Sequence, residues 1–305
     1  MKNIIIEPFE YFVEMYKFNH KLKIKDARKR SEALVASKPE ILTKNKNYFY
    51  KVTDQDKDTA YYWISRKSRK KNFDLITPII RKAYLKEQNL KKIILIINKT
   101  LKKYDAKRVD IHVIKLPDNA IRVFEKNGYE INTHQLVKEL KKKDKKTNQS
   151  NTRLEKMTLS QFRSYSRFFL DDTEMLVKGM GMTTKEAKKS HQEVFKQLAP
   201  KGFNDKNNFF LNIIERKSQK RIGTLWLIRF NRNDQKFLFV ANIIIDKKCR
   251  GQGFGESTMR NIDSFARKHK LEEIQLNVFE YNEPARKLYE KCGFHTLYRG
   301  MFKDF

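Results

Sequence analysis

The chain has 305 residues and only two cysteines, Cys249 and Cys292. Two thiols cannot build a disulfide framework, so the expectation is a pair of reduced cysteines in a cytoplasmic protein. Together with six scattered histidines they show no zinc-ligand spacing, and no metal is expected. No stretch approaches the ~18 consecutive apolar residues of a membrane-spanning helix. Met1 to Phe12 carries Glu7, Pro8 and Glu10, which does not fit a signal peptide. An arginine-rich arm and an aromatic-basic RNA motif are also missing.

What the chain has in excess is positive charge. Lys and Arg number 67 against 36 Asp and Glu, a formal net charge of +31. That favours polyanions such as nucleic acid. Lysine is used throughout the chain, however, beside abundant asparagine and isoleucine, so a compositional origin weighs more than a nucleic-acid role. Length and a 39% hydrophobic content allow two ordinary domains, each with its own core.

The chain is organised around residues 243–256. Ile243, Ile244 and Ile245 close an apolar run, Phe237 to Ile245, that reads as a buried strand. Gly251, Gly253 and Gly255 follow at alternate positions. Beyond them Met259, Ile262, Phe265 and Ala266 recur at helical spacing over Ser257 to His269. Glycines allow positive φ and close backbone approach. The first amides of a helix lack intrahelical partners and face the loop. Strand, glycine loop and helix together make an anion site. No Gly-Lys-Ser/Thr follows, so the loop is not a Walker motif. The G-x-G-x-G spacing, with no ribose-binding acid downstream, is a poor dinucleotide fingerprint.

Ile274 to Val278 alternates like a strand, and Glu280-Tyr-Asn-Glu-Pro-Ala-Arg-Lys-Leu-Tyr-Glu-Lys-Cys-Gly-Phe294 comes next. Here the chain resembles the GNAT family of acetyl-CoA-dependent N-acyltransferases. Arg250, Gly253 and Gly255 match that family's pyrophosphate loop. Asn282, Ala285, Leu288, Tyr289, Lys291, Gly293 and Phe294 match the helix and turn after it.

The resemblance implies an α/β fold, a mixed and mostly antiparallel sheet flanked by helices, and acetyl-CoA as co-substrate. It implies that backbone groups at Ile243, Ile244 and Ile245 pair with the pantetheine arm. The loop Arg250, Gly251, Gln252, Gly253, Phe254 and Gly255 would hold the pyrophosphate. Asn277, Asn282 and Ala285 would border the arm, and Tyr289 would bind at the sulfur and serve as general acid. A phenol with a reference pKa of ~10 is protonated at neutral pH. The family's strand carboxylate has no counterpart: Ala241 and Asn242 stand in that region. The alternatives are a water chain to Glu215 or Glu280, an amine that arrives neutral, or weak activity.

Internal repetition is the most informative pattern in the chain. Leu116 to Tyr129 aligns with Tyr281 to Phe294 at one offset, set by Gly128 and Gly293 (293 − 128 = 165). The same offset brings Val109–Val113 onto Ile274–Val278. It also sets Lys86, Gln88 and Leu90 under the three glycines, Phe124 under Tyr289 and Pro117 under Asn282. The chain therefore reads as two tandem units: 1–140, a degenerate copy that keeps the fold; 141–152, a basic linker; and 153–305, the copy with the chemistry.

Helices are expected over Leu159 to Leu176 and Thr184 to Leu198, with Lys178 to Met182 as a substrate-contacting loop. Two helical stretches are expected before Leu42. The functional expectation is an N-acetyltransferase acting on a small-molecule or peptide amine. The alternative is a non-catalytic acyl-CoA-binding or basic nucleic-acid- or ribosome-associated adaptor. A homodimer is compatible with either reading.

Overall fold

The computed structural model describes residues 1–21, 23–37, 46–66, 71–114, 116–140, 150–232 and 235–305. The strands are β1 Lys2–Ile5, β2 Asn47–Asp54, β3 Lys57–Arg66, β4 Asn72–Ile80, β5 Arg108–Ile114, β6 Glu130–Glu139, β7 Thr152–Lys156, β8 Asn208–Glu215, β9 Arg221–Arg232, β10 Gln235–Ile245, β11 Glu273–Phe279 and β12 His295–Asp304. The helices are α1 Pro8–His20, α2 Ile24–Ser37, α3 Glu87–Lys103, α4 Asp118–Lys126, α5 Leu159–Asp171, α6 Glu174–Met180, α7 Thr184–Leu198, α8 Phe254–Lys268 and α9 Glu283–Lys291.

Two compact units result. Unit 1 comprises residues 1–131 and 298–305, and unit 2 comprises 132–297. The sheet of unit 1 runs β1-β2-β3-β4-β5-β12, and that of unit 2 runs β7-β8-β9-β10-β11-β6. In each, one central pair is parallel, β4 with β5 and β10 with β11, and the other pairs are antiparallel. The expected mixed, mostly antiparallel sheet is thus present in both copies. The division differs from a cut at residue 140: the last sheet position of unit 1 is filled by the C-terminal strand β12, and that of unit 2 by β6.

The repeat is as regular in three dimensions as in sequence. At an offset of 165, β5 falls on β11 (273 − 108 = 165), α4 on α9 (283 − 118 = 165) and β6 on β12 (295 − 130 = 165). Each unit buries apolar residues on both faces of its sheet. In unit 1, Leu90, Ile93, Ile94, Ile97 and Leu101 of α3 fill one core, and Tyr11 and Phe12 of α1 pack with Phe49, Tyr61 and Ile79 in the other. In unit 2, Met259, Ile262 and Ala266 of α8 pack with Leu225, Leu238, Leu276 and Tyr289. Phe162, Tyr165 and Phe169 of α5 cover Phe210 and Trp226 on the opposite face. The 3–4 residue spacing within each helix puts these side chains on one stripe, and burying them drives the docking.

Several local expectations are corrected. The N-terminal segment opens with β1, before the two helices. The run expected as one helix from Leu159 breaks at Asp172, and α6 begins at Glu174. Lys178, Gly179 and Met180 are helical, and Gly181 is the left-handed cap that ends α6. Of the linker, residues 141–149 lie outside the described residues. After it, Ser150 and Thr152 bond the buried Ser257 (Oγ–Oγ 2.7 and 3.1 Å), tying the start of unit 2 to α8.

Candidate active site

The site begins where β10 leaves β11. The two are paired only from Phe237–Glu273 to Val240–Leu276. Beyond that, β10 keeps its pairing with β9 alone, and the register with β9 shifts between Val240 and Asn242. Ala241 is therefore the extra residue of a β-bulge, which bends a strand and changes its aim. Ile243, Ile244 and Ile245 follow the bulge with β9 on one side, opposite Leu225, Thr224 and Gly223. Gly223 is required there, because a Cβ would overlap the Ile244 carbonyl oxygen. The result is a wedge between two parted strands, with peptide groups on the β10 side facing the gap.

At the end of β10 a single 3₁₀ turn, Lys247–Cys249, leads into the glycine loop. Gly251 and Gly253 both take positive φ, 76° and 77°. Any other residue there would sit in the left-handed region at a cost of roughly 1–2 kcal/mol. A Cβ on either would meet nothing within 4 Å, so the loop is glycine-rich for its backbone shape and leaves open space in front. Gly253 caps α8 without a side-chain bond. The first amide to bond back is Ser257 N–H, to the Gly253 carbonyl at 3.1 Å. The amides of residues 254–256 are the leading ones of the helix. Gly255 has a different reason: a Cβ there would lie 2.9 Å from Leu288 Cδ2, so its absence lets α8 approach α9. Phe254 turns its ring into the core, which leaves its amide, and not its side chain, for the loop.

Charge reinforces the geometry. Lys247, Lys248 and Arg250 belong to the loop, and Arg250 Nε donates to the Ile245 carbonyl at 3.0 Å, bracing the turn. A groove of ≈ 400 Å³ beside the loop is lined by Arg216, Lys217, Gln252 and Glu215 among others. Glu256, in the first turn of α8, would oppose an anion if free. It is paired with Lys291 at 2.6 Å and Arg260 at 2.9 Å, and these cations hold its carboxyl below the usual range.

The other wall is β11 and α9. Asn277 is the first β11 residue past the parallel pairing and is exposed. Asn282 is the N-cap of α9; its Oδ1 accepts from Ala285 N–H at 3.4 Å. Ala285 packs at the edge of the core. Tyr289 is 7% exposed, and burial, with the Cys292 thiol adding a little, pushes its phenol up to about 12.

Glu215 and Glu280, the more distant groups offered for a water chain, lie on other elements than the bulged strand. Glu215 ends β8 beside the glycine-loop groove. Glu280 lies in the turn after β11, bonded to His134 of β6 and, at 3.2 Å, to Arg286 of α9. Asn242 holds a buried Oδ1 that has no hydrogen-bond partner among the described residues. His134 was missed by sequence reasoning. The alternation of β6 is carried partly by buried polar residues, Asn132 and His134, so hydrophobic periodicity did not mark it.

Unit 2 thus joins a parallel pair that parts at a bulge to a glycine loop at a helix N-terminus. Residues 179–294 match the acetyltransferase (GNAT) family. It is similar to the uncharacterized N-acetyltransferase YdgE of Bacillus subtilis (strain 168), 28% identical over 142 residues, covering 46% of this chain and 90% of the relative. Two solved structures share the fold over nearly the whole chain. One is a GCN5-related N-acetyltransferase from Sphaerobacter thermophilus (TM-score 0.59, 12% identity, 99% of this chain and 95% of that one). The other is a tandem GNAT protein from the clavulanic acid biosynthesis pathway (TM-score 0.52, 9% identity, 99% and 97%). Family-level chemistry is acyl transfer.

Proposed function

We propose that the second copy moves an acetyl group from acetyl-CoA to a primary amine, with Tyr289 as the proton donor to the leaving sulfur. The observation that carries this reading is the coincidence in unit 2 of parted strands with an open, positively charged glycine loop. The residues present fit the co-substrate. The β10 peptides at Ile243–Ile245 suit an extended amide-bearing arm, and the left-handed glycines and leading α8 amides suit a pyrophosphate.

Acetyl-CoA supplies an acetyl group already activated as a thioester. The chain supplies orientation, which alone accounts for much of such a rate enhancement, and a hydrogen bond to the sulfur. With its phenol at about 12, Tyr289 stays protonated across the working pH range. A thiol titrates near ~8.5, so Tyr289 stabilises the developing thiolate chiefly by donating a hydrogen bond. Asn242 accepts a hydrogen bond and takes no proton, so it orients an amine that enters neutral; as the C–N bond forms and the C–S bond breaks, the proton shed by the nitrogen passes to solvent, and the thiolate leaves under the Tyr289 hydrogen bond and is protonated from solvent.

The test is thiol release from acetyl-CoA across a panel of primary amines, with and without Tyr289→Phe. The reading expects amine-dependent release that the substitution sharply reduces. Undiminished turnover in Tyr289→Phe would remove the acid assignment, and no release with any amine would remove the transferase.

A further inference from the structure

The outer face of α3, in the copy without the glycine loop, is dominated by lysine. Leu90, Ile93, Ile94, Ile97 and Leu101 bury the opposite stripe of this helix in the core of unit 1. Lys91, Lys92, Lys99, Lys102 and Lys103 are exposed, and no acid follows Glu87 in the helix. At roughly 100° per residue, Lys91 and Lys102 form one row and Lys92, Lys99 and Lys103 a second, roughly 90° away around the axis. Leu95, 51% exposed, lies between the rows.

The carboxylates at the two ends of α3 are engaged by other cations. Glu87 pairs with Lys126 at 2.7 Å, and Asp105 pairs with Lys71 and, at 3.6 Å, with Lys107. Among the described residues, none of the five exposed ammonium groups stands in an ion pair. Lys303 of β12 is held below its usual range by burial and, to a lesser degree, by the nearby Lys102 ammonium. The face is thus uncompensated positive charge on a helix fixed to a core. A lysine-rich composition does not account for it. At the repeat offset, Lys91, Lys92 and Lys99 fall on Glu256, Ser257 and Ser264 of α8 (256 − 91 = 165). Lysines on other helices are mixed with acids, as in α7 with Glu186 and Glu193 and in α9 with Glu283 and Glu290.

Two rows of cations with a gap between them suit the two phosphate rows that border a groove. Lys91 to Lys103 spans about 18 Å, a length that faces about five phosphates of one strand. The major groove of B-form DNA is about 12 Å wide and admits a helix, whereas that of duplex RNA is deep and narrow. The α3 face carries no aromatic ring on which single-stranded bases could stack. Its apolar stripe is committed to the core, so only Leu95 is free to enter a bilayer.

We infer that the lysine face of α3 docks on the phosphate backbone of double-stranded DNA, without sequence preference. Lysine donates hydrogen bonds as a point charge, which positions a protein on phosphates and reads no base. This surface lies within unit 1 and does not depend on the transferase reading of unit 2.

The test is fluorescence anisotropy of a labelled DNA duplex with the full-length protein over a KCl series. Duplex RNA of the same sequence and phosphatidylserine vesicles serve as competitors. Changing Lys91, Lys92, Lys99, Lys102 and Lys103 together to Gln, a residue of similar helix propensity, is expected to weaken DNA binding by about tenfold or more at ~0.1 M salt. The slope of log K against log salt should become shallower by about 4–5, near 0.9 for each phosphate released. The pair Lys91→Gln and Lys99→Gln, one from each row, should make it shallower by about 2. Lys185, Lys196, Lys201, Lys206 and Lys220, exposed in unit 2, changed together to Gln remove the same charge and should cost less than about threefold. Equal losses in the two five-lysine variants would overturn the inference. So would a slope unchanged in the pair, vesicles or duplex RNA held more tightly than duplex DNA, or no DNA binding by wild type at that salt.

Discussion

Units 1 and 2 part their central strands at the same point. β4 pairs with β5 from Asn72–Arg108 to Leu75–Ile111, and β10 with β11 from Phe237–Glu273 to Val240–Leu276, four pairs in each. Both show a register shift against the preceding strand near the parting. The wedge is therefore a property of the fold. What separates the copies lies at its edges. In unit 1 the Tyr11 hydroxyl donates to the Ile76 carbonyl at 2.9 Å, beside the shift, so that peptide group is already satisfied. α3 begins at Glu87, which pairs with Lys126 at 2.7 Å as Glu256 pairs with Lys291 in unit 2, so this ion pair is common to the copies. Lys86 caps α3 with φ −62°, without a left-handed turn. Leu90, set under Gly255 by the repeat, does not crowd a loop; it is buried in the core. Phe124 stands where Tyr289 stands, with no hydroxyl to offer. One fold is built twice, and at the wedge the copies differ in residues at one strand end and one helix start.

The largest effect that sharpens this contrast is Tyr289→Phe, which makes unit 2 resemble unit 1 at its acid. It should lower kcat by about 10²-fold or more, the usual contribution of a positioned proton donor, with KM for acetyl-CoA nearly unchanged. Steady-state kinetics decides it. Leu90→Ala should destabilise the protein by about 2–5 kcal/mol through a core cavity, seen in denaturant unfolding. Acetyl-CoA affinity per folded molecule should not move, because the damage is confined to unit 1. Gly253→Val forces a β-branched residue to φ 77° and fills the open space before the loop. Acetyl-CoA should bind about tenfold more weakly, equivalent to about 1.4 kcal/mol. Lys86→Ala, at the matching helix start in unit 1, should leave affinity as it was.

The smallest effect is in pH. The Tyr289 phenol is raised above its ordinary ~10 to about 12, so the folded state favours the neutral form. Its stabilising contribution is complete below pH ~10 and is lost as pH rises through about 12. Turnover should show no falling limb from this group below pH ~10. The stability difference between wild type and Tyr289→Phe should shrink as pH rises above that value.

Much of this contrast was readable before any coordinates. The glycines at 251, 253 and 255, the Leu288-Tyr289 segment and the repeat through Gly128 and Gly293 located the glycine loop, the tyrosine proposed as acid and the duplication. They did so because a left-handed turn and a helix face constrain residue type strongly. Other features left weaker marks. β7 reads Thr-Arg-Leu-Glu-Lys, with little apolar signal. β6 and β12 were not expected from the sequence, and nothing in it says which unit each completes. Gly255 was assigned to a phosphate, and its packing against Leu288 shows only in three dimensions. Asn282 was assigned to the cofactor arm, and its oxygen caps α9. The second half of α6, from Lys178, was taken for a loop because Gly179 and Gly181 look alike in sequence: one is helical and admits Phe279, and the other ends the helix.

The central claim is that one copy holds the cofactor and the other holds only the scaffold. Isothermal titration of the full chain with acetyl-CoA measures this directly. The account predicts one molecule bound per chain in wild type and in Lys86→Ala, with affinity falling sharply in Gly253→Val. Two molecules per chain, or full-strength binding that survives Gly253→Val, would contradict it.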